Sequence, residues 1–600
     1  VDVGVDSGGT FTDVVGSDGT LLKIPSTPQD PSRAVLGGAG AAGCGLADHL
    51  AHGTTVATNA LLERRGAEVA LVTTAGFADV VEIARQSRPS LYDPWVDRPE
   101  PLVPRGRRLE VRGRLDASGS VLEPLGDALP TVPPGCAVAV CLLHADLEPA
   151  HERRLAERLR AAGHDVSASH EVAPEVREYE RTVTTVLNAA LRPVCGPYLR
   201  SLADAAGRVS VMSSAGGLLD VATAADLPVA LLVSGPAAGV RAAAAVATAC
   251  GFPDALSFDM GGTSTDVALV LGGEPEPASV RDLAGLPVLM PSLDLHTIGA
   301  GGGSIAAIDP GGALVVGPRS AGARPGPACY GLGGTEPTVT DANLLLGRLP
   351  ADLELSGLGR LDAAAARRAH EAAGVDPAGV LDVVNANMEQ ALRTVSVERG
   401  VDPAGLALVA FGGAGPLHAC DLAGSLGVPV VVVPPAAGVL SAVGLLTAPV
   451  RRDVVRSWTG AASGPELDEL ADALAAEATA LAAASAGADP GRVRAVVSFD
   501  VRYVGQSHPI RVRSVDAFTA AHRRLNGHAP EDREVEVVAV RASAEVASPH
   551  RIDEVLSAAP PWEGVVVGPA SIGRDDCAVW VPGGWTGRPG PLGALVLERT

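Results

Sequence analysis

The stretch Val5-Asp6-Ser7-Gly8-Gly9-Thr10-Phe11-Thr12-Asp13-Val14 returns later in the chain as Phe258-Asp259-Met260-Gly261-Gly262-Thr263-Ser264-Thr265-Asp266-Val267. β-formers flank both copies, at 1–5 and 254–258 before them and at 14–15 and 267–271 after them. Each copy therefore predicts a strand, a tight glycine turn and a second, antiparallel strand. The copies lie too far apart for solenoid repeats, whose period is much shorter. They predict two homologous lobes that face one another.

A hairpin with Gly-Gly at its tip lets bare backbone N–H groups approach an anion, because no Cβ stands in the way. The Thr after each pair adds a hydroxyl donor. An Asp at the loop entrance would repel phosphate unless a cation sits between them, so Asp6 and Asp259 are read as holding Mg²⁺, directly or through water. Two such loops, Gly8-Gly9-Thr10 with Thr12 and Gly261-Gly262-Thr263 with Thr265, would grip the β- and γ-phosphates of ATP from both sides. A third glycine loop, Gly412-Gly413-Ala414-Gly415-Pro416, lies between a strand at 407–411 and a helix through 426. It suits the adenosine or α-phosphate, with the helix N-terminus adding positive potential; a plain strand-to-helix turn is the alternative.

The rest of the 600 residues reads as alternating α/β structure. Helices are expected at 54–65, 151–162, 181–191, 362–373 and 381–397, and strands at 69–73, 135–143 and 209–213. Residues 91–113, rich in Pro and Arg, read as an insertion. Composition changes near Arg451, where an Ala-rich helix at 465–484 precedes alternating β segments. The expected units are thus 1–190, 191–450 and a β-rich C-terminal domain at 451–600.

Composition narrows the function. The net charge of -22 argues against nucleic acid and anionic membranes as partners. No apolar run approaches the roughly 18 residues a membrane span needs, and the start reads as a strand entering a glycine loop, not a signal peptide. Lys23 is the only lysine, so any phosphate would be held by backbone N–H groups, Arg and a divalent metal. Eight scattered cysteines without a CxxC pair suit a reducing cytoplasm rather than disulfides or zinc.

The duplicated loops resemble the phosphate-1 and phosphate-2 motifs of the actin/Hsp70/sugar-kinase superfamily. More narrowly, the chain resembles the A subunit of hydantoinase/5-oxoprolinase enzymes, a group that includes subunits of ketone carboxylases. Matching strings run almost end to end, among them His52-Gly53-Thr54-Thr55-Val56-Ala57-Thr58-Asn59, Ser234-Gly235-Pro236-Ala237-Ala238-Gly239, Thr297-Ile298-Gly299-Ala300-Gly301-Gly302-Gly303-Ser304 and Arg502-Tyr503-Val504-Gly505-Gln506. Near the C-terminus, Ser571-Ile572-Gly573 and Cys577-Ala578-Val579 depart from the family pattern. The resemblance implies two actin/Hsp70-like (ribonuclease H-like) lobes around a nucleotide cleft, with ATP and Mg²⁺ as cofactors. It also implies a hydantoinase B-type subunit as partner, in a homo- or hetero-oligomer, and a small cyclic amide or ketone as substrate.

An amide carbonyl is a poor electrophile, and phosphorylating its oxygen makes that oxygen a leaving group. Such a site needs in-line geometry and charge neutralisation rather than a strong nucleophile. Asp13 and Asp266 would orient water, or else close the turns. His52 and Asn59 flank a turn and helix start where they would meet the carbonyl or the γ-phosphate, a buried structural histidine being the alternative. Gly301 and Gly302 belong to a loop too glycine-dense for a simple turn and are expected to line the cleft. His418 is expected to pack, Asp341 and Asn343 to cap a helix, and Cys329 has no base within reach. The rival readings are a small-molecule kinase, a nucleotide-switched reactivase or chaperone, and an ATP-dependent ketone carboxylase.

Overall fold

The computed structural model describes residues 1–9, 11–27, 30–203, 206–355, 359–530 and 532–600. Among these, two large sheets of ten and nine strands carry a mixed α/β architecture. The first repeat forms the hairpin Val3–Ser7 and Phe11–Gly16, the second forms Ala255–Met260 and Thr265–Leu271. Each hairpin sits in the same order of pairings. Its second strand pairs outward and antiparallel, with Leu21–Pro25 in the first sheet and with Leu295–Ile298 in the second. Its first strand pairs inward and parallel, with His49–Gly53 in the first sheet and Ala407–Phe411 in the second. A further parallel strand follows in each, Arg208–Met212 and Val430–Val433. Of these inner strands Ala407–Phe411 and Val430–Val433 are apolar and buried along their length, as parallel strands covered by helices are, and His49–Gly53 is buried throughout although it carries two histidines.

The expected boundaries differ from this arrangement in two places. The helix Glu178–Leu202 runs through the boundary expected at 190/191. Residues 451–600 do not stand apart as a β-rich domain. Val450–Ser457, Val493–Tyr503, Ile510–Val512 and Val535–Val546 extend the first sheet, while Val566–Val567, Trp585–Pro589 and Leu595–Arg599 extend the second. The C-terminal strands extend one side of each sheet, so that Leu218–Asp220 and Val430–Val433 are paired on both sides. Buried ion pairs fasten this extension: Arg541 bonds Glu175 and also Asp500, the latter at 2.8 Å. The expected insertion ends in the strand Arg108–Val111, which joins a separate four-stranded parallel sheet with Val69–Thr74, Ala137–Cys141 and Val166–Ala168. No helix among the described residues is long and apolar enough to cross a membrane.

Two helices connect this frame to the cleft. Gly235–Ala249 and Leu440–Thr447 pack so closely that a Cβ built on Gly444 would lie 2.0 Å from the carbonyl oxygen of Ala238. Leu440–Thr447 also backs the first hairpin, where a Cβ on Gly4 would lie 2.2 Å from the carbonyl oxygen of Ala442. Glycine is needed at both points because backbone meets backbone. Gly444→Val should therefore destabilise the protein by about 1–3 kcal/mol through overpacking. A thermal melt checks this, and an unchanged midpoint would show that the two helices do not touch as described.

Candidate active site

The two hairpin tips have the same turn. Gly8 donates its N–H to the carbonyl of Phe11 at 3.0 Å, and Gly261 does the same to Ser264 at 3.0 Å. The tips face one another: a Cβ built on Gly9 would lie 4.0 Å from Thr263 Oγ1. Between them is a cavity of about 310 Å³ lined by Gly8, Gly9, Gly261, Gly262, Thr263 and Gly413, among others. The N-terminal residues of Gly235–Ala249 and Leu440–Thr447, and the loop that leads into Gly415–Leu426, also line it. Their free N–H groups and dipoles favour negative charge there. Thr10 lies outside the described residues.

Four carboxylates converge on this cavity as two matched pairs. Asp6 stands directly opposite Asp13 in the first hairpin, and Asp259 directly opposite Asp266 in the second. Glycine makes room for the inner member of each pair. A Cβ on Gly53 would lie 2.5 Å from Asp6 Oδ1, and one on Gly412 would lie 2.3 Å from Asp259 Oδ1. The outer member of each pair is held by the third strand. Lys23 Nζ donates to Asp13 Oδ1 at 2.8 Å, and Thr297 Oγ1 donates to Asp266 Oδ1 at 2.6 Å.

Burial and mutual repulsion make these carboxylates hard to ionise together. Burial, with repulsion from Asp13 and Asp266, pushes Asp6 up to about 7 although Lys23 opposes the shift. Asp259 is pushed well above the usual carboxylate range by burial and by Asp266, Asp6 and Asp13. Burial raises Asp266 to about 6 against the pull of the Thr297 hydrogen bond. Asp13 is raised by burial while Lys23 pulls it back. Opposed carboxylate oxygens that repel one another in a buried cleft fit a divalent cation with oxygen ligands. Asp6 and Asp259 stand at the two tip entrances and line the cavity. Among the described residues no three His, Cys, Asp or Glu side chains form a cage. Mg²⁺ suits such a site because it keeps waters and takes phosphate oxygens alongside one or two carboxylates.

Other expected site residues lie behind the cleft. Thr12 bonds Ser26 Oγ at 3.0 Å and Thr265 donates to the carbonyl of Ala300 at 2.6 Å; neither lines the cavity. Gly302 lines it, while Gly301 packs behind the second tip, where a Cβ would lie 2.7 Å from the Gly262 carbonyl carbon. Gly415 is the first helical residue behind Gly412 and Gly413 and does not line the cavity itself.

His52 does not reach the cavity, contrary to the sequence expectation. It is fully buried, with Nδ1 3.0 Å from the carbonyl of Val5 and Nε2 2.7 Å from Tyr198 Oη, so both ring nitrogens are engaged. Burial lowers its pKa to about 4, which keeps it neutral. Asn59 is exposed one turn down its helix and bonds Thr55 Oγ1 at 3.3 Å; Thr55, not Asn59, lines the cavity. His418 packs between Asn385 and Asn343, and Asp341 forms a capping box with Thr338. Burial raises the Cys329 thiol, as suits an inert cysteine.

The cleft also gathers residues with no signal of their own in the sequence. Tyr330, Thr340 and Phe411 line it, and so do Asp575 and Asp576 from the C-terminal segment. Lys23 lines it as well; the sequence marked it only as the sole lysine, and its place opposite Asp13 comes from the strand pairing.

Fold and cleft together define a mixed α/β protein whose paired glycine turns, helix ends and facing carboxylates suit a phosphate chain with a divalent cation. The chain belongs to the hydantoinase/oxoprolinase family. A family model described as hydantoinase/oxoprolinase matches residues 181–454, and one described as hydantoinase/oxoprolinase N-terminal region matches residues 2–163. The chain is 36% identical over 600 residues to the caprolactamase subunit alpha of Pseudomonas jessenii, covering 90% of this chain and 86% of that one. It is 35% identical over 506 residues to the acetophenone carboxylase gamma subunit of Aromatoleum aromaticum, covering 74% and 67%. A crystal structure of the ATP-dependent caprolactamase from Pseudomonas jessenii superposes with a TM-score of 0.84 at 31% identity, covering 100% of both chains.

The crowded carboxylates predict a measurable instability. A carboxylate whose folded pKa is raised stabilises the fold at low pH and loses that contribution as pH rises through the folded value. For Asp6 the window runs from the ordinary value of 3.8 to about 7. In chelator, Asp6→Asn should therefore melt higher than the parent at about pH 8, and the difference should shrink toward about pH 4. A lower melting point for Asp6→Asn at the higher pH would contradict the crowding.

Proposed function

We propose that this chain uses ATP to phosphorylate the carbonyl oxygen of a small cyclic amide, activating it for ring opening. The observation that carries the reading is the meeting of two duplicated hairpin tips across one cavity, each with a half-buried Asp at its entrance. We read the two sheets as actin/Hsp70-like lobes on the strength of their matching strand order. The ATP-dependent caprolactamase that the chain resembles supports both ATP and a lactam.

In this reading the N–H groups of the two tips bind the β- and γ-phosphates and hold the γ-phosphorus in line with the substrate oxygen. That oxygen forms a bond to the γ-phosphorus as the bond to the bridging oxygen breaks and ADP departs. Mg²⁺, when bound at Asp6 and Asp259, supplies neutralisation of the charge on the phosphates. Asp13 and Asp266, fixed by Lys23 and Thr297, orient water in the cleft. Gly413 and Ala414, ahead of the Gly415–Leu426 helix, line the side that takes the adenosine or α-phosphate. His52 supports the strand beneath the first tip and takes no part in the chemistry.

Completion of hydrolysis falls to a B-type partner subunit, since the relatives are named as single subunits of larger enzymes. Eight free cysteines support a reducing, cytoplasmic setting for the assembly. The likeness to an acetophenone carboxylase subunit favours one second reading, in which a ketone takes the place of the lactam.

Asp6→Ala and Asp259→Ala should each lower Mg²⁺-dependent ATP turnover by about a hundredfold or more while leaving the circular dichroism spectrum intact. Near-normal turnover in both variants would defeat the metal assignment. A screen of ATP hydrolysis against lactams, hydantoins, 5-oxoproline and ketones should find stimulation by a cyclic amide. Stimulation by ketones alone would select the second reading.

A further inference from the structure

The charged side chains that line the cleft are very unequal. Among the described residues six are carboxylates, Asp6, Asp13, Asp259, Asp266, Asp575 and Asp576, and one is a cation, Lys23. No arginine among the described residues lines the cavity, contrary to the sequence expectation that Arg would hold phosphate, although the chain has 47 basic residues and all but Lys23 are arginines. A phosphate chain entering such a lining meets repulsion from every ionised carboxylate. Divalent metal offsets part of that repulsion, and the protein's own fixed positive charge in the cleft rests on a single ammonium.

Lys23 is also placed to reach across the cleft. It lies on Leu21–Pro25 in the first sheet, directly opposite Asp13, and its ammonium sits 5.4 Å from the Phe11 ring centroid. Nζ donates to Asp13 Oδ1 at 2.8 Å and to the carbonyl of Gly438 at 3.0 Å. Gly438 follows the Val430–Val433 strand of the second sheet, and its N–H goes to Asp576 Oδ2 at 2.8 Å. An ammonium has three N–H donors, so these bonds leave one for a ligand, and the side chain keeps 18% of its surface open. An ordinary cross-strand ion pair would account for the contact with Asp13. It would not account for the reach to the second lobe or for the position as the one cation of the lining.

We propose that Lys23 is the phosphate-contacting cation of the loaded cleft, its third N–H meeting a nucleotide's terminal phosphate while Asp13 and Gly438 hold the other two. This rests on the ATP reading and assigns to it a residue that the glycine loops do not supply. A lysine serves here as a compact point charge, the role such residues take where phosphate is bound by charge rather than by bidentate geometry.

The sequence provides its own probe, because these residues contain a single lysine. Selective ¹³Cε-lysine labelling of the full chain gives one lysine cross-peak, assigned by its loss in Lys23→Arg. Saturating magnesium with a non-hydrolysable ATP analogue should shift this peak, and adenosine should not. In parallel, Lys23→Met should lower kcat/KM for ATP tenfold or more, with Lys23→Arg recovering part of the loss. Calorimetry on the unsubstituted protein separates the two levels of the account. If it shows no heat of nucleotide binding, the ATP reading falls and takes this proposal with it. If nucleotide binds while the lysine peak stays fixed, or if Lys23→Met keeps full kcat/KM, the ATP reading stands and the role of Lys23 is overturned.

Discussion

Crowding of four aspartates at one cleft, Asp266 buried and Asp6, Asp13 and Asp259 half-buried, is the constraint around which the molecule is arranged. Asp6, Asp13, Asp259 and Asp266 are brought to one cavity by two hairpins that are far apart in sequence. Burial raises the pKa of each, and for Asp6 and Asp259 the neighbouring aspartates add to the cost of ionisation. The arrangement is stable in its charged form only with positive charge between the lobes.

Small residues make that geometry possible. Gly53 and Gly412 follow the same logic in the two lobes, each leaving space that a side chain would need to take from the neighbouring Asp carboxylate. Gly4 and Gly444 let the Leu440–Thr447 helix press on the first hairpin and on its partner helix. The low aromatic content of 3% fits this architecture. The core is thin where the cleft is, and backbone rather than bulk sets the distances.

The hairpins were legible because strand, turn and strand are local and because duplication is visible without a structure. The facing of the tips followed from the duplication alone. Long-range placement was not legible. The β segments of 451–600 could be seen as strands, but sheet membership depends on partners far away in the chain, such as Val450 with Val546 and Val430 with Glu598. His52 drew attention by its chemistry and its neighbouring Thr-rich turn, yet burial beneath the strand engages both nitrogens. Asp575 and Asp576 carry no motif at all and enter the cleft through tertiary folding. Lys23 was visible as the sole lysine but reveals its place only once Leu21–Pro25 pairs with the hairpin.

The central claim is that both tips share one cation–phosphate unit. Crystals grown with Mn²⁺ and a non-hydrolysable ATP analogue would test it through the anomalous signal of the metal. The account predicts a Mn²⁺ peak between Asp6 and Asp259, with phosphate oxygens in hydrogen-bonding reach of N–H groups from both glycine turns. A nucleotide seated against one turn alone, or a metal bound outside the space between those two carboxylates, would contradict it.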